Sequence, residues 1–193
     1  MEYKIDSLDE TISKIAEHYK EIIRLIGEDP DREGLVETPE RAAKALMYVT
    51  RGYRQNVSEV IHGAMFQAPS HDMIVVRDIE FYSLCEHHIL PFFGSVSVGY
   101  IPGDRIVGLS KIARIVDMFA RRLQVQERFA SELCHTLYDE LGAEGVIVHC
   151  RAHHLCMQMR GVQKQSSTTI TTSTCGVFVL NQELRNQFVA SIG

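Results

Sequence analysis

The chain lacks three features that would place it in a broad class at once: a long apolar run, an excess of positive charge and an even set of cysteines. No run approaches the roughly 18 apolar residues of a membrane-spanning helix, so we expect no membrane span. The formal net charge of −5 argues against a nucleic-acid surface, because such surfaces are positively charged. Any bound phosphate would therefore need a local basic cluster.

The cysteine content excludes a disulfide scaffold. Five cysteines are an odd number, and a chain of 193 residues is long enough to bury a full core without cross-links. The first residues of the sequence lack the apolar segment of a secretory signal. We therefore expect a cytoplasmic protein whose thiols are reduced.

The N-terminal region has the pattern of a helical arm. Apolar residues recur at helical spacing over residues 7–26, and Ser7 with Glu10 has the spacing of a capping box. A second helix is predicted to begin after Thr38 as its N-cap, with Pro39 at the first helical position. Two amphipathic helices are thus expected before the main domain.

Beyond the arm, the pattern predicts strands and helices in a fixed order. Alternating β-branched residues indicate strands, and apolar residues at helical spacing indicate helices. The predicted elements are strands at 73–81 and 95–101, helices at 109–123 and 126–141, strands at 146–151 and 168–178, and a last helix at 181–190. We assign residues 1–56 to the arm and residues 57–193 to an α+β domain with a ββααββ core. One copy would leave sheet edges open, which predicts a homo-oligomer whose subunits close into a ring.

The most informative motif is Cys85-Glu86-His87-His88, which is matched downstream by His153-His154-Leu155-Cys156. Cys85 and His88 are three residues apart, so one turn can direct both at a single ion, whereas Cys156 must be brought in by the fold. Zinc held by two cysteines and one histidine keeps a fourth position open, as in catalytic sites. Each cysteine alone is better explained as a buried apolar residue. The joint pattern favours a zinc site formed by Cys85, His88 and Cys156.

Several polar residues near this motif are candidates for chemistry. His87 and His154 each lie beside a predicted ligand and could exchange protons near neutral pH, although surface imidazoles are the alternative. His153 is left out of the site, because on a strand it would point away from His154. Gln126 and Glu127 could read the amidine edge of a guanine, or they could be ordinary polar residues at a helix start.

A small basic cluster is the candidate phosphate site. Lys111 and Arg114 stand three residues apart near the start of a predicted helix, where free backbone N–H groups favour an anion. Arg160 and Arg41 could add to this cluster. Basic residues on helices commonly just lie in solvent, and the sequence pattern by itself leaves that alternative open.

Taken together, these segments resemble the GTP cyclohydrolase I family. The resemblance covers most of the chain from about residue 35 to residue 180, in the family's order, and rests on Thr38-Pro39-Glu40-Arg41, Cys85-Glu86-His87-His88, Tyr100-Ile101-Pro102, Gly108-Leu109-Ser110-Lys111-Ile112-Ala113-Arg114, Gln124-Val125-Gln126-Glu127-Arg128, His154-Leu155-Cys156-Met157 and Arg160-Gly161. It implies a tunnelling fold with an antiparallel core, in which subunits build a ring barrel and two pentamers stack into a homodecamer. Active sites would lie at subunit interfaces.

The resemblance also implies an activity. GTP would be hydrolysed at C8 of its guanine, formate would be released, and rearrangement would give 7,8-dihydroneopterin triphosphate, the first step of tetrahydrofolate or tetrahydropterin biosynthesis. The implied roles are zinc binding by Cys85, His88 and Cys156, proton transfer by His87 and His154, assistance to the rearrangement by Ser110, base binding by Gln126 and Glu127, and triphosphate binding by Lys111, Arg114, Arg160 and Arg41.

Two other interpretations stay open at this point. A deazaguanine nitrile reductase of the same fold would use a nucleophilic cysteine and NADPH, whereas the Cys-Glu-His-His motif points to a metal. A zinc-stabilised guanine-nucleotide-binding module without turnover would need a fourth protein ligand, for which His87, His153 and His154 are the candidates. Formate release from GTP separates these interpretations.

Overall fold

The structure is a computed structural model that describes residues 7–193 of the chain. These residues form two compact units, one that ends at Thr50 and one that spans Arg51–Gly193. The predicted domain boundary between residues 56 and 57 falls a few residues beyond this division and stays a prediction.

The N-terminal unit consists of two helices, α1 (Leu8–Leu25) and α2 (Thr38–Val49). Ser7 caps α1 as predicted, since its side-chain oxygen accepts a hydrogen bond from the Glu10 N–H at 3.2 Å. The predicted cap of α2 is wrong by one residue, because the N-cap is Glu37. The Thr38 N–H donates to the Leu35 carbonyl at 2.9 Å, so the chain already turns before Thr38.

The second unit contains the α+β domain. Its elements in chain order are a 3₁₀ turn (Arg51–Arg54), α3 (Val57–Ile61), β1 (Met65–Gln67), β2 (Ile74–Cys85), β3 (Pro91–Ile101), β4 (Arg105–Val107), α4 (Leu109–Ala120), β5 (Leu123–Gln124), α5 (Gln126–Leu141), β6 (Gly145–His154), α6 (Leu155–Gln158), β7 (Thr169–Gly176), a 3₁₀ turn (Val177–Val179) and α7 (Gln182–Ile192). The predicted ββααββ order is therefore confirmed by β2, β3, α4, α5, β6 and β7. The elements that the sequence pattern missed are short.

The main sheet has five strands in the order β5-β2-β3-β6-β7. All neighbours are antiparallel except for β2 and β5, which are parallel over two residue pairs. A separate two-stranded sheet joins β1 to β4. The mixed α+β class and the antiparallel core are thus as predicted.

Helices α4 and α5 cover one face of the main sheet. Their apolar stripes are buried with the inward residues of the strands, and the helix residues in this core include Ile112, Ile115, Val116, Phe119, Phe129, Leu133 and Leu137. Alternate strand residues point to the opposite face, where Ile147 joins Phe178 and Phe188 in a smaller cluster. No helix within residues 7–193 is long and apolar enough to span a membrane.

Strand β3 brings the two halves of the metal motif together. It lies between β2 and β6, with Pro91 paired to Leu84 and Phe92 paired to His154. Cys85 is the last residue of β2, and Cys156 lies two residues beyond the end of β6. Both thiols therefore lie at the same end of the sheet, near the carboxyl ends of β2 and β6, despite their distance along the chain.

Candidate metal and substrate site

A tight turn directs Cys85 and His88 to the same side of the chain. The Cys85 N–H donates to the Leu90 carbonyl, and the Ile89 N–H donates to the Cys85 carbonyl, each at 2.8 Å. Ile89 adopts a left-handed conformation with φ 54°, which reverses the chain before β3. The Cys85 Sγ and His88 Nδ1 atoms lie 3.8 Å apart.

Cys156 completes a group of three candidate ligands, Cys85, His88 and Cys156, which we call the metal group. One ligand atom from each of Cys85, His88 and Cys156 lies within 4.8 Å of the others. Tetrahedral zinc with the usual zinc–sulfur and zinc–nitrogen bonds would place a sulfur and a nitrogen about 3.6 Å apart. The observed 3.8 Å between Cys85 and His88 is close to that value, so these residues fit a zinc ion.

The electrostatics of the thiols also favour a cation. Burial raises the pKa of Cys156, and the neighbouring Cys85 raises it further, because two thiolates at this distance repel each other. Arg160 acts in the opposite direction and favours the thiolate. A bound metal cation would stabilise both thiolates together.

The three candidate ligands line a cavity of about 200 Å³, and residues that are candidates for substrate binding and proton transfer line the same cavity. His87, His154, Gln126 and Glu127 line this cavity. Burial lowers the pKa of His154, while the nearby Glu127 carboxylate opposes the shift. The His154 imidazole is therefore mainly neutral at pH 7. Glu127 is exposed in the first turn of α5, where its carboxylate is available to a ligand.

Gln126 differs from Glu127 in its surroundings. Its side chain is buried, and the Oε1 atom lies 2.8 Å from His154 Nε2. The Nε2 atom faces main-chain oxygens of Cys150 and Thr169. Both ends of the amide are thus engaged by the protein, while base binding by Gln126 stays a prediction.

Arg128 and Gln124 hold the turn from Cys85 to His88, called the metal turn below, in place through contacts that the sequence pattern does not indicate. Arg128 pairs with the Glu86 carboxylate and donates through Nε to Gln124 Oε1 at 3.1 Å. The Glu86 N–H donates to the Gln124 carbonyl at 3.1 Å. The hydrogen bond from Arg128 lowers the pKa of Glu86. A Glu-to-Arg pair separated by 42 residues leaves no local pattern in a sequence, so nothing signalled this contact.

The candidate phosphate residues lie apart from this cavity. Lys111 and Arg114 line a second cavity of about 520 Å³, together with Arg51 and Arg54. Ser110 is exposed in the first turn of α4. In the described chain, neither Lys111 nor Arg114 lines the cavity of the metal group.

Two further candidates and one excluded residue have clear positions. Arg160 is exposed just beyond α6. Arg41 belongs to the N-terminal unit, where it pairs with Glu37. His153 lies on the opposite face of β6 from His154, with its ring 6.1 Å from that of Phe93, as strand alternation predicts.

The chain is similar to known proteins over nearly its whole length. The profile described as GTP cyclohydrolase I matches residues 15–193. GTP cyclohydrolase 1 of Campylobacter jejuni subsp. jejuni is 49% identical over 179 residues, which cover 93% of this chain and 94% of that protein. GTP cyclohydrolase 1 2 of Pseudomonas putida is 51% identical over 179 residues, with 93% and 96% covered. A solved structure of an archaeosine synthase QueF-Like in the apo form aligns at 18% identity with a TM-score of 0.45, over 57% of this chain and 97% of that chain. The match over nearly the whole chain shows that this protein belongs to the GTP cyclohydrolase I family.

Proposed function

We propose that the protein catalyses the GTP cyclohydrolase I reaction, in which GTP and water give 7,8-dihydroneopterin triphosphate and formate. Family membership supports the reaction. The observation that carries the site assignment is the meeting of Cys85, His88 and Cys156 in one cavity with Glu127 and His154. One purine in this cavity could therefore meet the metal ligands, a carboxylate that binds the base and an imidazole that transfers protons.

The proposed metal is zinc, held by two thiolates and one imidazole. This donor set suits zinc, and among the described residues no fourth His, Cys, Asp or Glu side chain joins the group. Three protein ligands support an open site of the catalytic kind. Zinc bound there would supply Lewis acidity, since it lowers the pKa of bound water to about 7.

Glu127 is the proposed residue for holding the base. A carboxylate accepts two parallel hydrogen bonds from the N1–H and 2-amino groups of guanine, and such paired bonds fix orientation as well as position. Its exposed place in the first turn of α5 leaves both oxygens open to the cavity. The five-membered ring of the purine would then face the metal group.

The proton steps are assigned to residues beside the metal ligands. His154, mainly neutral because burial lowers its pKa, can take up a proton and return it to the opening ring. His87 Nδ1 lies 3.9 Å from Cys85 Sγ, and this position supports a second proton-transfer role at the same end of the substrate. Ser110 is assigned to the later rearrangement of the ribose.

The triphosphate is assigned to Lys111, Arg114 and Arg160, with Arg41 of the N-terminal unit as a fourth member. A cavity of about 200 Å³ is small for a nucleoside triphosphate, because drug-sized ligands occupy roughly 300–1,000 Å³. Lys111 and Arg114 line the other cavity in this chain. This separation supports an active site shared between copies, in the ring and decamer that the family resemblance implies.

Formate release is the test of the proposed function. The purified oligomer, loaded with zinc, is expected to release one formate for each GTP consumed, and a chelator-stripped sample is expected to release none until zinc is restored. GTP binding without formate would instead indicate a binding module. For the shared site, oligomers of Lys111→Ala and of His154→Ala are each expected to lose most of the activity. Mixed oligomers, formed by dissociation and reassembly, should regain part of the activity, and no regain would place both residues in one subunit's site.

A further inference from the structure

The side-chain amide of Gln126 has a fixed orientation. It is 1% exposed, and its nitrogen lies 3.3 Å from the Cys150 carbonyl oxygen and 3.1 Å from the Thr169 carbonyl oxygen. The Thr171 hydroxyl oxygen is a third neighbour at 3.2 Å. Main-chain carbonyls accept hydrogen bonds and cannot donate them. Turning the amide over would place its oxygen against two buried acceptors, so the nitrogen must face strands β6 and β7.

This orientation determines which nitrogen of His154 carries hydrogen. With its nitrogen held by the strands, Gln126 presents Oε1 to His154 Nε2 at 2.8 Å. An amide oxygen has no hydrogen, so the bond requires hydrogen on Nε2. In the neutral ring, Nδ1 is then the nitrogen with the free lone pair.

A second contact fixes the plane of the same ring. The His154 imidazole stacks on Phe92 with centroids 4.7 Å apart and planes 2° apart. Phe92 is fully buried, so this support belongs to the core. Rotation about the last side-chain bond of His154 would break both the stacking and the hydrogen bond from Nε2.

We propose that Gln126 is a positioning residue for His154, and that His154 exchanges its proton with the substrate through Nδ1 while Nε2 keeps its hydrogen. The proton-transfer role of His154 and the identity of the substrate rest on the proposed function, whereas the orientation of Gln126 and the tautomer of His154 rest on the contacts. One proton is gained and the same proton is lost at Nδ1, so the ring returns to its starting form after each transfer. Gln126 acts through His154, and guanine is read by Glu127.

The alternative is that the Gln126 side chain binds the base directly. To do so, the amide would have to leave the Cys150 and Thr169 carbonyls, which would then be buried without this donor. The two roles predict different kinetics. Loss of a base contact raises KM, whereas loss of proper placement of His154 lowers kcat.

The kinetic test is a double-mutant cycle on the zinc-loaded oligomer. Gln126→Met keeps the length of the side chain and removes its hydrogen bonds. We expect kcat for formate release to fall at least about 30-fold with KM for GTP within about twofold of wild type. Gln126→Met combined with His154→Ala should be no slower than His154→Ala alone, because a residue that acts through His154 adds nothing once it is gone. Glu127→Gln is the comparison variant and should raise KM at least about tenfold.

The proposal is overturned if Gln126→Met raises KM about tenfold with kcat preserved, or if the double variant shows the product of the two single losses. Gln126→Glu is the second variant in case Gln126→Met does not fold. It keeps an oxygen for the Nε2 hydrogen, and in its protonated form it can donate to a strand carbonyl. It should retain more kcat than Gln126→Met, and equal losses would count against the proposal.

A measurement without turnover separates this inference from the proposed function. Wild-type protein with ¹⁵N-labelled histidine is examined by solid-state NMR, and the His154 signals are those lost in His154→Ala. The expected result is hydrogen on Nε2 and a lone pair on Nδ1. The opposite tautomer would refute the inference, whether or not GTP is a substrate. Absence of formate with the expected tautomer would refute only the proposed function.

Discussion

His154 and Phe92 are directly opposite each other in the β6–β3 pair, and their rings stack at 4.7 Å with nearly parallel planes. Phe92 is fully buried, whereas His154 lines the cavity of the metal group. A core side chain therefore sets the plane of a proposed catalytic imidazole. Packing of the sheet and placement of the proposed proton-transfer group are thus coupled at one residue pair.

Because of this coupling, we expect Phe92→Leu to cause a large fall in kcat and only a modest fall in the free energy of unfolding. Leucine keeps the site apolar but removes the flat ring, and the cost in unfolding free energy should be about 1–2 kcal/mol. A freely tilting His154 should reduce kcat for formate release about 10-fold to 100-fold. Phe93→Leu is the matched control, because Phe93 contacts His153 on the opposite face. A similar fall in kcat for both variants would contradict the coupling.

The assigned roles predict different outcomes for neighbouring residues of one motif. Cys156→Ala should lose both bound zinc and turnover, because one of three ligands is gone. His154→Ala should keep zinc at one per subunit and lose most turnover. His153→Ala, on the other face of β6, should retain both. Zinc by elemental analysis and formate release are measured on the same samples, and equal zinc loss in the first two variants would invalidate the assignment.

The order of strands and helices could be predicted because it depends on local patterns. Helix α5 begins and ends where the sequence predicts, since Gly142 adopts the left-handed conformation that ends helices. The ends of β2 and β6 were predicted too short. Pairing with β3 extends β2 to Leu84 and β6 to His154, and the parallel pair with Gln124 of β5 adds Cys85 to β2. Such pairing is a tertiary effect that local propensity does not contain.

The metal group could be anticipated because its residue types are chemically distinctive, and the fold brings Cys85, His88 and Cys156 together. The environment of Gln126 could not be anticipated. Its partners, Cys150 and Thr169, depend on the register of β6 and β7 beneath α5. The sequence pattern indicates an exposed position for a glutamine in the first turn of a helix, and only the register of β6 and β7 shows that Gln126 is buried.

The pair of Arg128 and Glu86 predicts a loss of zinc affinity on mutation. Arg128→Met keeps the apolar stem but frees the Glu86 carboxylate from the helix that holds the metal turn. Residues that orient metal ligands typically contribute 10-fold to 100-fold in metal affinity, and we expect a loss of about this size. Competition with a chromogenic chelator measures it. Lys14→Met, which removes a surface ion pair on α1, should leave zinc affinity unchanged, and equal affinity in the two variants would argue against this support.

His149 predicts a specific pH dependence of stability. Burial lowers the pKa of His149, and the nearby Arg151 lowers it further. The unfolded chain therefore binds a proton below about pH 6.5 that the folded chain resists. The contribution of this residue is complete above that pH and declines as the pH falls towards the lowered folded-state pKa. Thermal unfolding of His149→Gln, at fixed protein concentration, should show less destabilisation than wild type between about pH 7.5 and about pH 5.5. If the unfolding temperatures of wild type and His149→Gln fell equally over this pH range, His149 would not be the source of the pH dependence.

The open site with three protein ligands is tested by X-ray absorption at the zinc edge, which counts the atoms around the metal in the intact protein. We expect two sulfurs at about 2.3 Å, one imidazole nitrogen at about 2.0–2.1 Å and one light atom from solvent. In Cys156→Ser, one sulfur should disappear. Four protein ligands with no solvent atom would contradict an open catalytic site, and with it the proposed hydrolysis of GTP.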